Sequence, residues 1–389
     1  MEGKPLRVAI VGGGIGGLSA AVALWERGIE VRVYEQAPAL TEVGAGLALQ
    51  PNGLRLLRRL GFAEEIARWG ARWTDTRFRR SDGSIIAPML APGADGPIEY
   101  QGLHRADLLA MLAARLPAEA VHTSHRCVGF AQDGNRAHVV FANGAEANAD
   151  VVVAADGIHS ALQRQVVPPS APLFSGSVAY RGVIPCASVD WPPGAACNWV
   201  GAGKHFLAYP LRANQLLNYV GFVPTDERMQ ESWSAPGDPA ALAREFAGWD
   251  PLIQRIIAAI GSTFRWGLYD REPLPAWTHG RLTLLGDAAH PMLPHAGQGA
   301  NQAIEDAIAL ATLLAAADRA TAPRALLAYE AIRRDRTARV QQASRLSGRR
   351  YDSAGGDVTR RDAELSTQAR DRAWIWEHDV EREAIAALA

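Results

Sequence analysis

The sequence predicts an α/β fold in which a parallel-sheet, dinucleotide-binding unit is interleaved with an antiparallel-sheet unit and followed by a long C-terminal helix. Three observations carry this. An apolar strand, a glycine turn and a small-residue helix stand in succession near the N-terminus. Two further buried-type strands, Asp150 to Ala155 and Arg281 to Leu285, lie far along the chain. Between them, from Leu173 to about Leu268, runs an aromatic, Pro-containing stretch of short alternating segments, the pattern of an antiparallel sheet.

The first unit is read residue by residue. Val8, Ile10 and Val11 suit a strand buried on both faces, and Leu18, Ala20, Ala21, Ala23 and Leu24 give a helix face small enough to lie close to a sheet. Gly12, Gly14 and Gly17, with Ile15 and Gly16 between the last two, fill the spaced glycine pattern of a dinucleotide cradle. Such glycines serve a tight turn, backbone approach to a pyrophosphate and close helix packing. Phosphate charge would meet the amides of the helix N-terminus. Gly28 supplies a left-handed helix stop. Glu35 ends the next strand about 20 residues on, where a carboxylate can accept hydrogen bonds from an adenosine ribose.

Size and charge narrow the function. A chain of 389 residues implies two or three units at ~150 residues each. Forty basic side chains against 41 acidic ones leave a net charge of -1, which recruits neither nucleic acid nor an anionic membrane. A small molecule is the expected partner. Cys127, Cys186 and Cys197 are widely spaced and suggest neither a disulfide framework nor a metal site. The N-terminus lacks a basic segment followed by an apolar core, and Ala307 to Ala317 is too short to span a bilayer. A soluble cytoplasmic protein is expected. The Arg333 to Arg350 stretch reads as a solvated helix face.

The rest of the chain follows in order. A polar-glycine connection, Pro38 to Gly46, leads to Pro51-Asn52-Gly53 and an amphipathic helix from Leu54 to about Leu60. Residues 72 to 100 alternate weakly and suggest strands of a second sheet. A helix is expected from Leu103 to about Arg115. Residues 137 to 142 and 149 to 155 read as strands around an Asn143-Gly144 turn. The second ends at Asp156-Gly157, ahead of His159-Ser160 and a polar helix. A carboxylate-glycine pair at a buried strand's end sits where open α/β sheets bind ligands. Helices are expected near Ala240 to Phe246 and Leu252 to Ile260. The Arg281 to Leu285 strand runs into Gly286-Asp287, then His290-Pro291, read as turn architecture, then Gly297-Gln298-Gly299-Ala300-Asn301. A helix follows with Ala303, Ile304, Ala307 and Leu310 on its apolar face and Glu305-Asp306 favouring its dipole. A long helix from Arg324 to about Leu346 and a polar tail with Trp374 and Trp376 complete the chain, with no chemistry assigned.

Three markers, Gly12-x-Gly14-x-x-Gly17, Asp156-Gly157 and Gly286-Asp287, stand in order with His290-Pro291 and the 297 to 301 segment. Together they resemble the class A, single-component FAD-dependent aromatic hydroxylases over roughly residues 6 to 350. The resemblance implies a Rossmann-like FAD-binding domain interleaved with an antiparallel-sheet substrate domain. It assigns Gly12, Gly14, Gly17 and Glu35 to the ADP part of FAD, Asp156 and Gly157 to FAD and pyridine nucleotide, and Gly286 and Asp287 to the ribitol chain. It aligns Arg105, in His-Arg-x-x-Leu, with the family's FAD-contacting arginine, and lays the Gly297 to Asn301 loop along the flavin ring. The implied division is 1–72, 101–172 and 276–322 for the FAD-binding domain, 73–100 and 173–275 for the substrate domain, and 323–389 for a helical C-terminal region.

Within the family, the chain resembles the subgroup containing salicylate hydroxylase, 3-hydroxybenzoate 6-hydroxylase and 6-hydroxynicotinate 3-monooxygenase. The carrier is His205-Phe-Leu-Ala-Tyr209-Pro210, a histidine four residues before tyrosine-proline. Both side chains point to one strand face. Pro294-His295 matches the nicotinate-hydroxylating member, whereas Ala48 stands where that member has a histidine. The resemblance implies that NADH or NADPH visits transiently to reduce the flavin, and that O2 adds to it as a hydroperoxide which attacks a small hydroxylated aromatic acid. His205 is the first candidate base, Tyr209 an orienting or relaying group, and His295 the competing base. An FAD oxidase, a hydroxylase of larger substrates and a non-catalytic flavin sensor are the alternatives. A homodimer stays open.

Overall fold

The computed structural model describes residues 5–40, 45–90, 98–226, 235–353 and 358–389. Parts of the expected 38–46 connection and of the 72–100 and 173–275 segments lie outside them.

Among the described residues, β-branched and alanine-rich runs assemble a six-stranded sheet. Its order is Thr278–His279, Leu282–Leu284, Val151–Ala154, Arg7–Val11, Glu30–Tyr34 and Val121–His122. All neighbours are parallel except the first pair. Ile10, Val33 and the Val151–Ala154 strand are fully buried, as strands covered on both faces require. The helix Ile15–Trp25 lies on this sheet and packs along the helix Gly299–Ala315. Its close seat needs glycine, since a Cβ on Gly17 would stand 2.0 Å from the Gly12 carbonyl oxygen.

The aromatic middle of the chain forms an eight-stranded sheet in the order Pro236–Gly237, Thr263–Asp270, Leu173–Pro185, Leu216–Pro224, Lys204–Leu211, Ala195–Gly201, Asp75–Arg80 and Ile85–Pro88. It is antiparallel except where Ala195–Gly201 meets Asp75–Arg80. Residues 75–88 thus join a sheet whose other strands begin only at Leu173. One face of its Ala195 side is covered by the helices Pro239–Glu245 and Pro251–Ala258, through Phe206, Tyr219, Leu242, Phe246 and Ile253. Asp238 and Asp250 cap those helices with side-chain acceptors.

Several expected elements differ. Gln101–His104 is a strand, because it pairs with Gly46–Leu49, and the helix begins only at Arg105. The Asn143-Gly144 turn joins Ala137–Phe141 to Glu146–Ala149, while Val151–Ala154 leaves the hairpin for the parallel sheet. After Ser160 there is a single 3-10 turn, Gln163–Gln165, in place of a helix. The helix expected at Leu54 starts at Pro51, a residue preset for a first helical turn. Gly299–Asn301 are not loop but the first turn of Gly299–Ala315.

The largest corrections concern the C-terminal third. The long helix runs from Ala322 to Tyr351, and the tail folds into Val358–Asp371, Ala373–Trp376 and Val380–Ala386. Arg333 is fully buried, not solvated. It donates to Glu305 Oε2 at 2.6 Å and Asp306 Oδ1 at 2.8 Å, and Arg336 joins Glu305 at 2.8 Å. Glu305 and Asp306 therefore serve a buried ion network between two helices, lying past the first turn where a dipole effect would act. His290, read as turn architecture, closes that network with Nε2 at 2.5 Å from Asp306 Oδ2. Among the described residues, no helix is long and apolar enough to cross a membrane.

Candidate active site

The two sheets face each other across a cavity of about 370 Å³. Its first wall is backbone. Gly14, Ile15 and Gly16 line it from the glycine turn, and Gly157, Gly286 and Asp287 from the ends of the two neighbouring strands. Gly297, Gln298, Gly299 and Ala300 line it from the last glycine segment, and Arg105 from the start of its helix. This is the carboxyl edge of a parallel sheet, where such folds bind ligands.

Local features of this wall fit a dinucleotide. The Ile15–Trp25 helix has Gly14 as its N-cap with no side-chain cap, which leaves first-turn amides open to an anion. A Cβ on Gly14 or Gly157 would meet nothing within 4 Å, so open space stands over both. Asp156 accepts from the Ala161 amide through Oδ2 at 2.8 Å, but its buried Oδ1 has no partner. Burial pushes the Asp156 carboxyl up, against the hydroxyl of Ser160. Burial likewise pushes Asp287 up, opposed by His290 and Arg105. Hydroxyl donors of a bound ribityl or ribose group would favour the ionised form of either.

Other expected cofactor residues act from behind the wall. Gly12 takes the left-handed region at φ 111°, and a Cβ there would lie 2.2 Å from the Ala155 carbonyl oxygen. Glu35 accepts from the Gly13 amide at 2.7 Å and the Ala37 amide at 2.8 Å, which fixes its carboxylate beside the glycine turn with lone pairs left for a ribose. Asn301 does not line the cavity. Its side chain donates to the carbonyls of Ala48 and Gly297 and accepts from the Gln50 amide, bracing the segment at Gly297.

The second wall is one face of the eight-stranded sheet, and strand register lays it out in rows. Leu207 pairs with Val220 and Val220 with Arg181. Tyr209 pairs with Asn218, and His205 with Phe222, which pairs in turn with Ala179. Leu207, Val220, Phe222, Trp266, Leu268 and Leu293 make the surface apolar. Polar character enters at three points. The Arg181 guanidinium lies over the Trp266 ring, 4.0 Å from its centroid. Tyr209 packs on Trp73 at 5.0 Å. Asn218 accepts the Gly46 amide through Oδ1 at 2.9 Å, and its buried Nδ2 donor has no partner.

Of the three expected catalytic residues, Tyr209 lines the cavity whereas His205 and His295 stand behind its wall. Four strand residues separate His205 from Tyr209 by roughly 13 Å, so the two bracket the sheet face rather than meeting at one point. His205 is 1% exposed, stacked on Phe222 at 4.1 Å, with His295 at 5.2 Å. Its Nδ1 is 2.6 Å from Asp352 Oδ1. Burial, aided by His205 and Arg372, holds His295 well below the usual imidazole range.

Sequence reasoning passed over Arg181, Asn218, Gln50 and Asp352. Gln50 donates to the carbonyls of Ala296 and Gly297, and its oxygen receives Tyr100, Gln298 and Trp376. Arg181 and Asn218 alone carried a signal, as polar residues in otherwise apolar strands; Gln50 and Asp352 acquire partners only through tertiary contacts.

A glycine-lined groove that opens onto an apolar cavity with a few converging donors is the arrangement of a flavin-dependent oxidoreductase. Comparison with known proteins makes that class specific. The model of the FAD binding domain family matches residues 5–344, and the chain belongs to that family. It is 39% identical over 385 residues to the 3-amino-4-hydroxybenzoate 2-monooxygenase PtmB3 of Streptomyces platensis, covering 95% of each chain. It is 35% identical over 353 residues to a 6-hydroxynicotinate 3-monooxygenase of Bordetella bronchiseptica, covering 88% of this chain and 91% of that one. Its fold superposes on the structure of a salicylate hydroxylase substrate complex with a TM-score of 0.86 at 30% identity, covering 98% of both chains. The chain is an FAD-dependent aromatic monooxygenase.

Proposed function

We propose that the substrate is a small aromatic acid bearing a hydroxyl or equivalent ring donor, of the salicylate, hydroxybenzoate or hydroxynicotinate type, and that NADH or NADPH and O2 are the co-substrates. The observation that carries this reading is Arg181: a guanidinium set among Leu207, Val220 and Trp266 on the cavity floor. In apolar surroundings a guanidinium selects a planar carboxylate through charge-assisted bonds. The named relatives act on hydroxylated aromatic acids, which supports the same class.

Bound FAD supplies the redox chemistry that activates oxygen. The protein positions the ring, excludes water and manages one proton. The apolar wall at Phe222, Leu268 and Leu293 packs against the face of the aromatic ring and keeps water away. Asn218 Nδ2 offers a hydrogen bond to a ring oxygen, and Tyr209 bounds the same row. Burial pushes the Tyr209 phenol up, so it works as a neutral donor. His205 is assigned as proton acceptor for the substrate hydroxyl, with His295 the competing group. Since a base works within hydrogen-bond reach or through one water, His205 requires a water at the edge of Phe222.

The test screens the purified yellow protein with hydroxylated aromatic acids and with neutral phenols of the same size, following NADH and NADPH consumption and product formation. Acids should stimulate turnover and yield hydroxylated product. In Arg181→Met, KM for the acids should rise ~10- to 100-fold, as loss of a charge-assisted bond worth roughly 1.5–3 kcal/mol requires. Neutral phenols that stimulate the parent protein as strongly as the acids do, or a KM for the acids unchanged in Arg181→Met, defeat the carboxylate reading. His205→Ala should keep FAD and lose about 100-fold or more in hydroxylation rate; normal hydroxylation from pH ~6 to ~9 removes the base assignment.

A further inference from the structure

The environment of His205 contains a group that no part of the reading above uses. Asp352 caps the long helix Ala322–Tyr351 at its C-terminal end, remote in sequence from the strand Lys204–Leu211. Its Oδ1 nevertheless meets His205 Nδ1 at 2.6 Å. The two ends of this contact differ in environment: the His205 side chain is 2% exposed and that of Asp352 is 22% exposed. A carboxylate in partial contact with water thus grips an imidazole that has almost none.

The neighbours restrict what that contact can mean. Phe222 lies flat on the His205 ring, 15° from parallel, and is itself part of the cavity wall. Tyr351 meets the ring edge at 5.1 Å, and its hydroxyl receives Gln368 and Arg372. His295 stands on a third side. The charged and titratable groups around His205 are therefore Asp352, His295, Tyr351 and, through Tyr351, Arg372. Among the described residues, Asp352 is the anion in contact with the His205 ring. Two adjacent imidazoles cannot both be charged cheaply in a dry site, and the Asp352 carboxylate contacts His205.

We propose that Asp352 is the positioning residue of His205: its carboxylate accepts the Nδ1 proton, holds the imidazole flat behind Phe222, and leaves Nε2 as the nitrogen that exchanges protons. With His205 as base, a claim that rests on the proposed function, the substrate O–H bond breaks as the bridging water takes that proton and gives one of its own to Nε2, where an N–H bond forms. The resulting imidazolium is balanced by the Asp352 carboxylate. The proton is given back from Nε2, and Nδ1 keeps its own proton on Asp352 throughout. Carboxylates that orient a histidine and stabilise its cation act in this way on unrelated folds.

The experiment uses full-length, FAD-loaded protein with 15N-labelled histidine and needs no turnover for its first arm. In the parent protein, His205 should titrate with Nδ1 protonated throughout. Asp352→Asn should lower its proton affinity about tenfold, one unit of pKa, and Asp352→Glu should restore most of it. A His205 titration and tautomer unchanged in Asp352→Asn overturn the proposal, and far-UV circular dichroism establishes that the variant is folded. The second arm follows kcat/KM against pH. If His205 is the base, the limb assigned to it moves to lower pH by the same tenfold factor, whereas KM at high pH changes little. A shifted titration with an unshifted rate profile supports the Asp352–His205 pair and sinks the assignment of His205 as base, so the two failures are separable.

Discussion

At the scale of single residues, the site divides into positions whose meaning is local and positions whose meaning is given by register. Gly17 belongs to the first kind. A methyl group there collides with the Gly12 carbonyl at 2.0 Å, and backbone cannot yield as a flexible side chain can. Gly17→Ala should therefore emerge with little or no flavin absorbance, measured as the ratio of 450 nm to 280 nm absorbance at about these wavelengths, and should regain little when FAD is supplied. The glycine cradle was legible because it is written in residue type at fixed spacing. Arg181 and Asn218 were not, because nothing in the sequence says that residues 181, 207 and 220 share one row. Pairing across three strands decides it, and a slip of one residue would turn each side chain to the other face.

At the scale of elements, the helices Gly299–Ala315 and Ala322–Tyr351 are bound through charges rather than apolar contact alone. Burial opposes ionisation of Glu305 and Asp306. Arg333 and Arg336 nonetheless hold Glu305 down at about 2, and His290 with Arg333 hold Asp306 at about 2. Carboxyls ordinarily titrate near 4 when unfolded. A depressed folded value contributes stability that is present above about pH 4 and is lost as pH falls toward 2. Denaturant unfolding at pH ~7, ~4 and ~3 should show a loss that steepens below pH ~4. Arg333→Met should cost ~3–5 kcal/mol at neutral pH, because two buried carboxylates lose the guanidinium they share. Helix positions here were read well from periodicity. Periodicity says which face is apolar, however, and is silent on charges that find each other inside. The arginines after Ala322 therefore read as solvent-facing when several of them point inward.

At the scale of the whole molecule, the cavity has one wall on each sheet, and the strands that make either wall come from separated stretches of chain. A dinucleotide seated on the parallel sheet would touch both walls and bind the folded state alone. FAD at a free concentration 100 times its Kd should stabilise the protein by about 2.7 kcal/mol, seen as a rise of a few degrees in Tm by scanning fluorimetry. An unchanged Tm would mean that the groove does not hold the cofactor as a unit. The interleaving was legible only in outline, from the change of composition at Leu173 and the return of a buried strand at Arg281. That residues 75–88 belong to the second sheet was expected from their alternation, but their place beside Ala195–Gly201 was not, since a weakly alternating stretch names no partner.

The amide of Gln50 gathers strands, turn and tail at a single point: it holds the carbonyls of Ala296 and Gly297 and receives the indole of Trp376. A hybrid enzyme carrying another homologue's last thirty or so residues would consequently inherit a mismatch beneath its flavin segment unless this junction travelled with them. Grafting experiments meant to alter specificity should treat Gln50, Tyr100 and Trp376 as one transferable cassette.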